Sequence, residues 1–336
     1  MPVNDRYSRQ IFLKNIQKEG QIKLANSKVA VIGCGALGTT IANNLVRAGI
    51  GYLRFVDRDI IELNNLQRQN LFDEGDIGLS KAWVAAEKLR KINSEVRIEP
   101  IADDVTFENI ETIIKDMDVV LDGTDNMLVR FLINDACVKH NIPWIYGGAI
   151  ETYGITMNII PNKSPCFRCL IQDLPDTGSL ATCDTVGVLN MIPAIIGSIQ
   201  SSEALKILLG KGINKGVLSY DVWIHSFNNI EIKKRDDCKC CSKHNFEFLN
   251  ALKKETMVSI CGKGAIQVTP VKEVDISFEE LGKKLQKLGK VDYHKILIRF
   301  KIPNYELNIF KNGRTIIIGT NDKKIAKSLY AKYIGL

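Results

Sequence analysis

The chain of 336 residues is long enough for one large α/β domain and a smaller companion. Its 45% hydrophobic and 25% charged residues exclude a disordered or fibrous polypeptide. The net charge of +7 is unevenly spread: residues 1–244 carry 28 basic and 29 acidic side chains, residues 245–336 carry 17 and 9. The tail's excess is scattered lysine with two arginines, a solvated surface rather than the dense basic run of a nucleic-acid binder.

The amino-terminal stretch MPVNDRYSRQIFLKNIQKEG lacks the charged-then-apolar form of a signal peptide, so a cytoplasmic protein is expected. KVAVIG (28–33) and YLRFVD (52–57) read as buried parallel strands with a helix over 36–48 between them. SKAWVAAEKLRKIN (80–93), FENIETIIKD (107–116) and MLVRFLINDACVKHN (127–141) have helical spacing. VRIEPIA (96–102), DVVLDGTDN (118–126, running into a loop) and IPWIYGGAI (142–150) read as strands. This alternation predicts a doubly wound, mostly parallel α/β sheet of Rossmann type, with ligands outside the carboxyl ends of its strands.

Beyond residue 150, TYGITMNIIPNK (152–163) and KGVLSYDVWIHSFNNIEIKK (215–234) read as an antiparallel continuation. Between them, the apolar segment 186–210 carries Pro193, Glu203 and spaced Ser, Gln and Lys, which predicts a buried helix pair and no membrane span. A Cys-rich junction, RDDCKCCSKHN (235–245), divides a domain of 1–244 from a small basic α+β unit of 245–336. That unit reads as strand, helix, a strand hairpin turning at Asn312-Gly313, and helix.

Chemistry enters with GCGALG (33–38). Gly33, Gly35 and Gly38 follow a strand, and Asp57 lies about twenty residues on, the spacing of a dinucleotide-binding loop. A nicotinamide oxidoreductase explains these residues but leaves four other stretches without a purpose. RYSRQ brings Arg9, NNLQRQ brings Asn65 and Arg68 after the second strand, and GLSK puts Lys81 at a helix start. DGTDN puts Asp122 and Asp125 at the carboxyl end of a later strand. Two arginines, a lysine and an aspartate around such a loop suit a triphosphate with Mg2+, the cations offsetting charge as pyrophosphate leaves.

Nine cysteines without a secretory signal point to metal binding or reactive thiols rather than disulfides. Cys166 and Cys169 in CFRC, and Cys238 and Cys241 in CKCC, form two CxxC pairs able to supply four thiolates to a structural Zn2+. The long gap between them makes such a zinc a staple between distant segments. Cys240 could replace a neighbour or stay free. Cys34, Cys137 and Cys261 lie in apolar runs and read as core.

In this order, RYSRQ, GCGALG, FVD, NNLQRQ, GLSK, DGTDN, CFRC, ATCDTVGV and CKCC resemble the ThiF/MoeB/HesA family, the ubiquitin-activating-enzyme-like adenylyltransferases that serve sulfur-carrier proteins. The resemblance spans about residues 5–245. It implies that Gly33, Gly35 and Gly38 approach the phosphates of ATP and that Asp57 holds the ribose. Asn65, Arg68 and Lys81 would bind phosphates, Asp125 would bind Mg2+, and Arg9 would reach the site of a second subunit in a homodimer. The implied reaction is adenylation of the C-terminal glycine of a small ubiquitin-like carrier ending in Gly-Gly, of the thiamine or molybdopterin pathway. The acyl-adenylate would then meet a sulfur donor such as a cysteine desulfurase or a rhodanese. Cys183 in ATCDTVGV is a candidate for acyl or persulfide transfer, with a spectator thiol as the alternative. A non-catalytic carrier-binding scaffold is the other competing reading. Family members acting on transfer RNA also adenylate, but the paired cysteines and Cys183 fit the sulfur-carrier branch better.

Overall fold

The computed structural model describes residues 5–175, 183–250, 257–260, 264–270, 274–294 and 296–334, without the side chains of 183, 184 and 257–260. The chain divides into two compact units, 1–251 and 252–336.

The first unit opens with short helices α1 (Ser8–Ile11) and α2 (Gln17–Ala25) and then alternates strands and helices. These are β1 (Lys28–Ile32), α3 (Ala36–Ala48), β2 (Tyr52–Val56), α4 (Lys81–Ile92), β3 (Arg97–Ile101) and α5 (Ile110–Ile114). They continue as β4 (Val119–Asp122), α6 (Met127–Lys139), β5 (Trp144–Ile150) and β6 (Tyr153–Ile159). Next come α7 (Phe167–Leu170), α8 (Cys183–Val186), α9 (Met191–Leu209), β7 (Gly216–Asp221) and β8 (Ser226–Glu231).

One eight-stranded sheet results, in the order β3-β2-β1-β4-β5-β6-β7-β8. The first five of these strands are parallel and the remaining pairings antiparallel. The period-two pattern of KVAVI explains how the sheet is covered twice. Val29 and Val31 enter one apolar core with α3, α4 and α9, whereas Ala30 and Ile32 enter the other with α5, α6 and α7.

The apolar segment near 190–209 is a single helix, α9, not the expected helix pair. Pro193 lies in its first turn, where its missing N–H leaves no hydrogen bond broken. The helix is long and apolar enough to cross a membrane by composition. Here it buries Ile192, Ile196 and Ala204 in the sheet's core, and its Gln200 Nε2 donates to the Asp122 carbonyl at 2.9 Å. The expected helix over 107–116 shrinks to α5, five residues long.

The second unit is a six-stranded antiparallel sheet, in the order β11-β12-β13-β14-β10-β9. Its strands are β9 (Met257–Ile260), β10 (Ala265–Val268), β11 (Lys290–Tyr293), β12 (Leu297–Ile302), β13 (Tyr305–Phe310) and β14 (Thr315–Ile318). Helices α10 (Phe278–Leu285) and α11 (Lys323–Tyr333) place Leu281, Leu285, Ala326 and Tyr330 against Ile298, Phe300, Leu307 and Ile317 of one sheet face. The turn at Asn312-Gly313 is present, with Gly313 at φ 81° and its carbonyl accepting from Tyr330 Oη at 2.9 Å. The short strands β10 and β11 were not anticipated, because AIQV and KVDY mix polar residues into four positions, whereas β14 (TIII) is as short but wholly β-branched.

Candidate active site

Strand order reverses between β1 and β4, and the crevice outside their carboxyl ends is where an open α/β sheet binds ligands. Three glycines form its floor. Gly33 takes φ 96°, and a Cβ there would lie 2.5 Å from the Gly123 carbonyl carbon. A Cβ on Gly38 would lie 1.9 Å from the Gly33 carbonyl oxygen, so α3 can approach β1 only without one. Gly35 differs: its Cβ would meet only the Gly123 carbonyl oxygen, at 3.7 Å. The fold does not require glycine at that position. Gly35 caps α3 without a side chain, leaving the first-turn amides directed at the crevice.

Charge surrounds this floor. Asp57, at the end of β2, accepts from the Cys34 and Asp59 amides, both at 2.6 Å. Burial raises its carboxyl pKa, and Lys81 works against that shift. Lys81, the first residue of α4, is buried, with Nζ 3.2 Å from Asp59 Oδ2. Burial disfavours its charge, but Asp59 and Asp57, with Asp125, outweigh burial and hold the ammonium above its ordinary range. Asp125 is exposed at the mouth, just ahead of the Asn126 cap of α6, whose Oδ1 accepts from the Val129 amide at 3.2 Å.

The two acids of DGTDN thus separate. Asp122 is fully buried and accepts from Arg130 Nε at 2.9 Å and the Thr124 amide at 2.8 Å. Arg130 also donates to the carbonyls of Thr124 and Gly147, at 2.5 and 3.0 Å. Asp122 is therefore committed to the fold, and Asp125 is the acid left facing solvent.

In NNLQRQ, Asn65 is buried; its Oδ1 accepts from the Glu62 amide at 3.2 Å and its Nδ2 donates to Asn64 at 2.9 Å. Arg68 donates to the Asn64 carbonyl at 2.8 Å, which keeps its guanidinium on that loop. The neighbouring Gln69 is buried with an Oε1 that finds no partner among the described residues. The sequence reading passed over Gln69, and also Asp59, whose only signal was its place two residues after Asp57.

Arg9 does not join this group within its own chain. It is exposed on α1, and the next residue, Gln10, donates to the carbonyl of Ala48, the last residue of α3. The 13 residues of α3 separate that end from Gly35, roughly 20 Å at 1.5 Å per residue. Cys183 begins the short helix α8 rather than lying in the expected loop, and its side chain is outside the described residues. Cys261 is likewise outside them. Cys34 and Cys137 are fully buried, and burial pushes both thiols up, as inert core residues require.

The two CxxC pairs do meet. The sulfurs of Cys166, Cys169, Cys238 and Cys241 lie within 4.8 Å of one another, all on buried residues. Cys166 and Cys238 are 3.6 Å apart and Cys169 and Cys241 3.5 Å. Those gaps are too long for disulfides and near the ~3.8 Å edge of a tetrahedron with ~2.3 Å Zn–S bonds. The donor set fits Zn2+. Cys240 stands outside the set, fully buried, its sulfur accepting from Asn134 Nδ2 at 3.1 Å.

A glycine-floored crevice at the switch point of a Rossmann-like sheet, ringed by lysine and carboxylates, defines a nucleotide-binding α/β protein. Residues 7–241 match the ThiF family, and the chain belongs to it. It is 37% identical over 335 residues to the sulfur carrier protein ThiS adenylyltransferase of Bacillus subtilis, covering 98% of this chain and 99% of that one. It is 36% identical over 241 residues to the SAMP-activating enzyme E1 of Haloferax volcanii, covering 71% of this chain and 89% of the relative. The crystal structure of Escherichia coli MccB with ATP shares the fold at a TM-score of 0.63 and 24% identity, covering 71% of this chain and 74% of that one. Family membership removes the nicotinamide reading of the glycine loop.

Proposed function

We propose that this protein uses ATP to adenylate the C-terminal glycine of a small ubiquitin-like sulfur carrier. The observation that carries the reading is the convergence of the Gly33–Gly38 floor, Asp57, Lys81 and Asp125 on one crevice at the β1/β4 switch point. Supporting it are relatives that are named sulfur carrier adenylyltransferases. The match to the Bacillus subtilis relative runs through the tail as well, whereas the Haloferax volcanii relative matches over 241 residues. The full-length match to a relative named for ThiS supports a carrier of the thiamine pathway.

The carrier's carboxylate oxygen attacks the α-phosphorus of ATP, and the bond from that phosphorus to pyrophosphate breaks. A carboxylate is ionised at neutral pH, so the reaction needs no general base. The protein's work is positioning and charge. Gly35 and the open first turn of α3 receive phosphate oxygens, and Asp57 faces the ribose. Lys81, Arg68 and Asn65 take the charge that moves onto pyrophosphate. Mg2+ at Asp125 would supply a second counter-charge. The cysteine cluster would hold Zn2+ as a staple and has no part in the transfer. Arg9 serves a second copy's crevice, which makes the active unit a homodimer. The acyl-adenylate passes to a sulfur donor such as a cysteine desulfurase or a rhodanese, in the cytoplasm.

The test is ATP–pyrophosphate exchange with Mg2+ and separate carriers of the thiamine and molybdopterin types, with Asp125→Ala as control. Exchange that needs one carrier and vanishes in the variant is expected. Exchange with neither, from protein that still binds ATP, would overturn the assignment.

A further inference from the structure

The CKCC segment offers three thiols, of which two join the cluster, and a residue on α6 accounts for the selection. Asn134 is fully buried in that helix, among apolar neighbours of the second core. Its Oδ1 accepts from the Phe167 amide at 2.9 Å, inside CFRC. A backbone N–H can only donate, so the amide oxygen must face it, and the NH2 group is left for the other side. There Nδ2 donates to Cys240 Sγ at 3.1 Å, inside CKCC. One side chain thus bridges two motifs 72 residues apart.

The next residue strengthens the arrangement. Asp135 Oδ2 accepts from the Phe248 amide at 3.0 Å, and its carboxyl lies against the Cys240 thiol. Cys240 neighbours Cys166 but is gripped from α6, while Cys238 and Cys241, on either side, pair with Cys166 and Cys169.

We infer that Asn134 is the positioning residue of the cysteine cluster: it sets the spacing of the two CxxC loops and keeps Cys240 out of the ligand set. This rests on the zinc reading of the cluster. Asn134 holds no ligand atom. It acts as outer hydrogen-bond partners of metal sites do, by fixing the loops that carry the ligands.

Asn134 also shares a helix face with the nucleotide crevice. Asn126, Arg130 and Asn134 recur every four residues, so capping the helix by the mouth, pairing with Asp122 and gripping the cysteine loops form one polar seam.

The experiment titrates metal-free full-length protein with Co2+, reading thiolate-to-metal charge-transfer bands, and measures Zn2+ affinity by competition with a chromogenic chelator. Wild type is expected to take up one Co2+ with a four-thiolate spectrum, and Cys240→Ser to match it, since the hydroxyl oxygen still accepts from Asn134. Cys238→Ser should lose one thiolate's intensity. Asn134→Ala should bind Zn2+ about 10- to 100-fold more weakly. Asn134→Ser, which keeps a polar group in the buried position, should weaken binding in the same direction and covers the case in which the alanine variant does not fold. Wild-type affinity in a folded Asn134 variant would overturn the positioning role while leaving the cluster intact. A Cys240→Ser spectrum short of one thiolate would overturn the selection. No metal uptake by wild type would overturn both this inference and the zinc reading.

Discussion

Helix α6 has chemistry at both ends, and the two ends are built on opposite terms. At its amino end the crevice is open, floored by backbone and ringed by Lys81, Asp57, Asp59 and the exposed Asp125. Toward its carboxyl end the cysteine cluster is closed, with all four sulfur-bearing residues buried. The exposed Asp125 at the open end can be altered with little effect on folding. A closed site that ties CFRC to CKCC cannot. Function and stability are thus separable along one 13-residue helix.

The largest effect that would break this contrast belongs to the closed end. Cys238→Ala removes one thiolate and should destabilise the protein by more than ~4 kcal/mol, the exceptional end for single substitutions. Urea melts with and without a chelator measure it, and the chelator should do to wild type what the mutation does. Asp122→Ala comes next, at ~3–5 kcal/mol, because it strands the buried Arg130 guanidinium. A loss below ~1 kcal/mol in the same melts would place that pair at the open end of the comparison.

At the open end, Asp125→Ala should reduce pyrophosphate exchange by about 10²–10³-fold while its melt stays within ~0.5 kcal/mol of wild type. Arg9→Ala sharpens the point by separating chains. Arg9→Ala and Asp125→Ala should each be inactive alone. Mixed after reversible dissociation, they should regain about a quarter of wild-type exchange, since half the dimers carry one intact composite site. No recovery would place Arg9 outside the partner's crevice. The smallest effect concerns pH. Lys81 has a raised folded pKa, so its contribution is whole below the ordinary lysine value of 10.5 and is lost only as pH climbs through the higher folded value. ATP binding should therefore show no Lys81 transition between about pH 7 and about pH 9.

Much of the open site was legible because it is made of local signals. A glycine spacing, an acid at a strand end and a lysine at a helix start each follow from the element that carries them. The ring of charge was less legible, since Asp59 joins it through a 3.2 Å contact with Lys81 that no local pattern signals, and Asp122 and Asp125 look alike in DGTDN. Burial alone divides them. The four ligand candidates could be read from CxxC spacing, but the exclusion of Cys240 could not. That depends on Asn134, more than a hundred residues away in sequence on α6. In the fold, the parallel strands stood out as apolar runs alternating with helical patterns, and the misread parts were those with an ambiguous pattern, as with β10, β11 and the supposed helix pair.

The glycines of the crevice divide differently again, by what would force each one to persist. A randomised library at Gly33, Gly38 and Gly123, selected only for soluble expression, should return glycine at all three, because their main chains already touch one another. The same library at Gly35 should return alanine and serine freely until survival also depends on nucleotide turnover. Position 35 would then record, in the composition of the survivors, the pressure exerted by the ligand and by nothing else in the molecule.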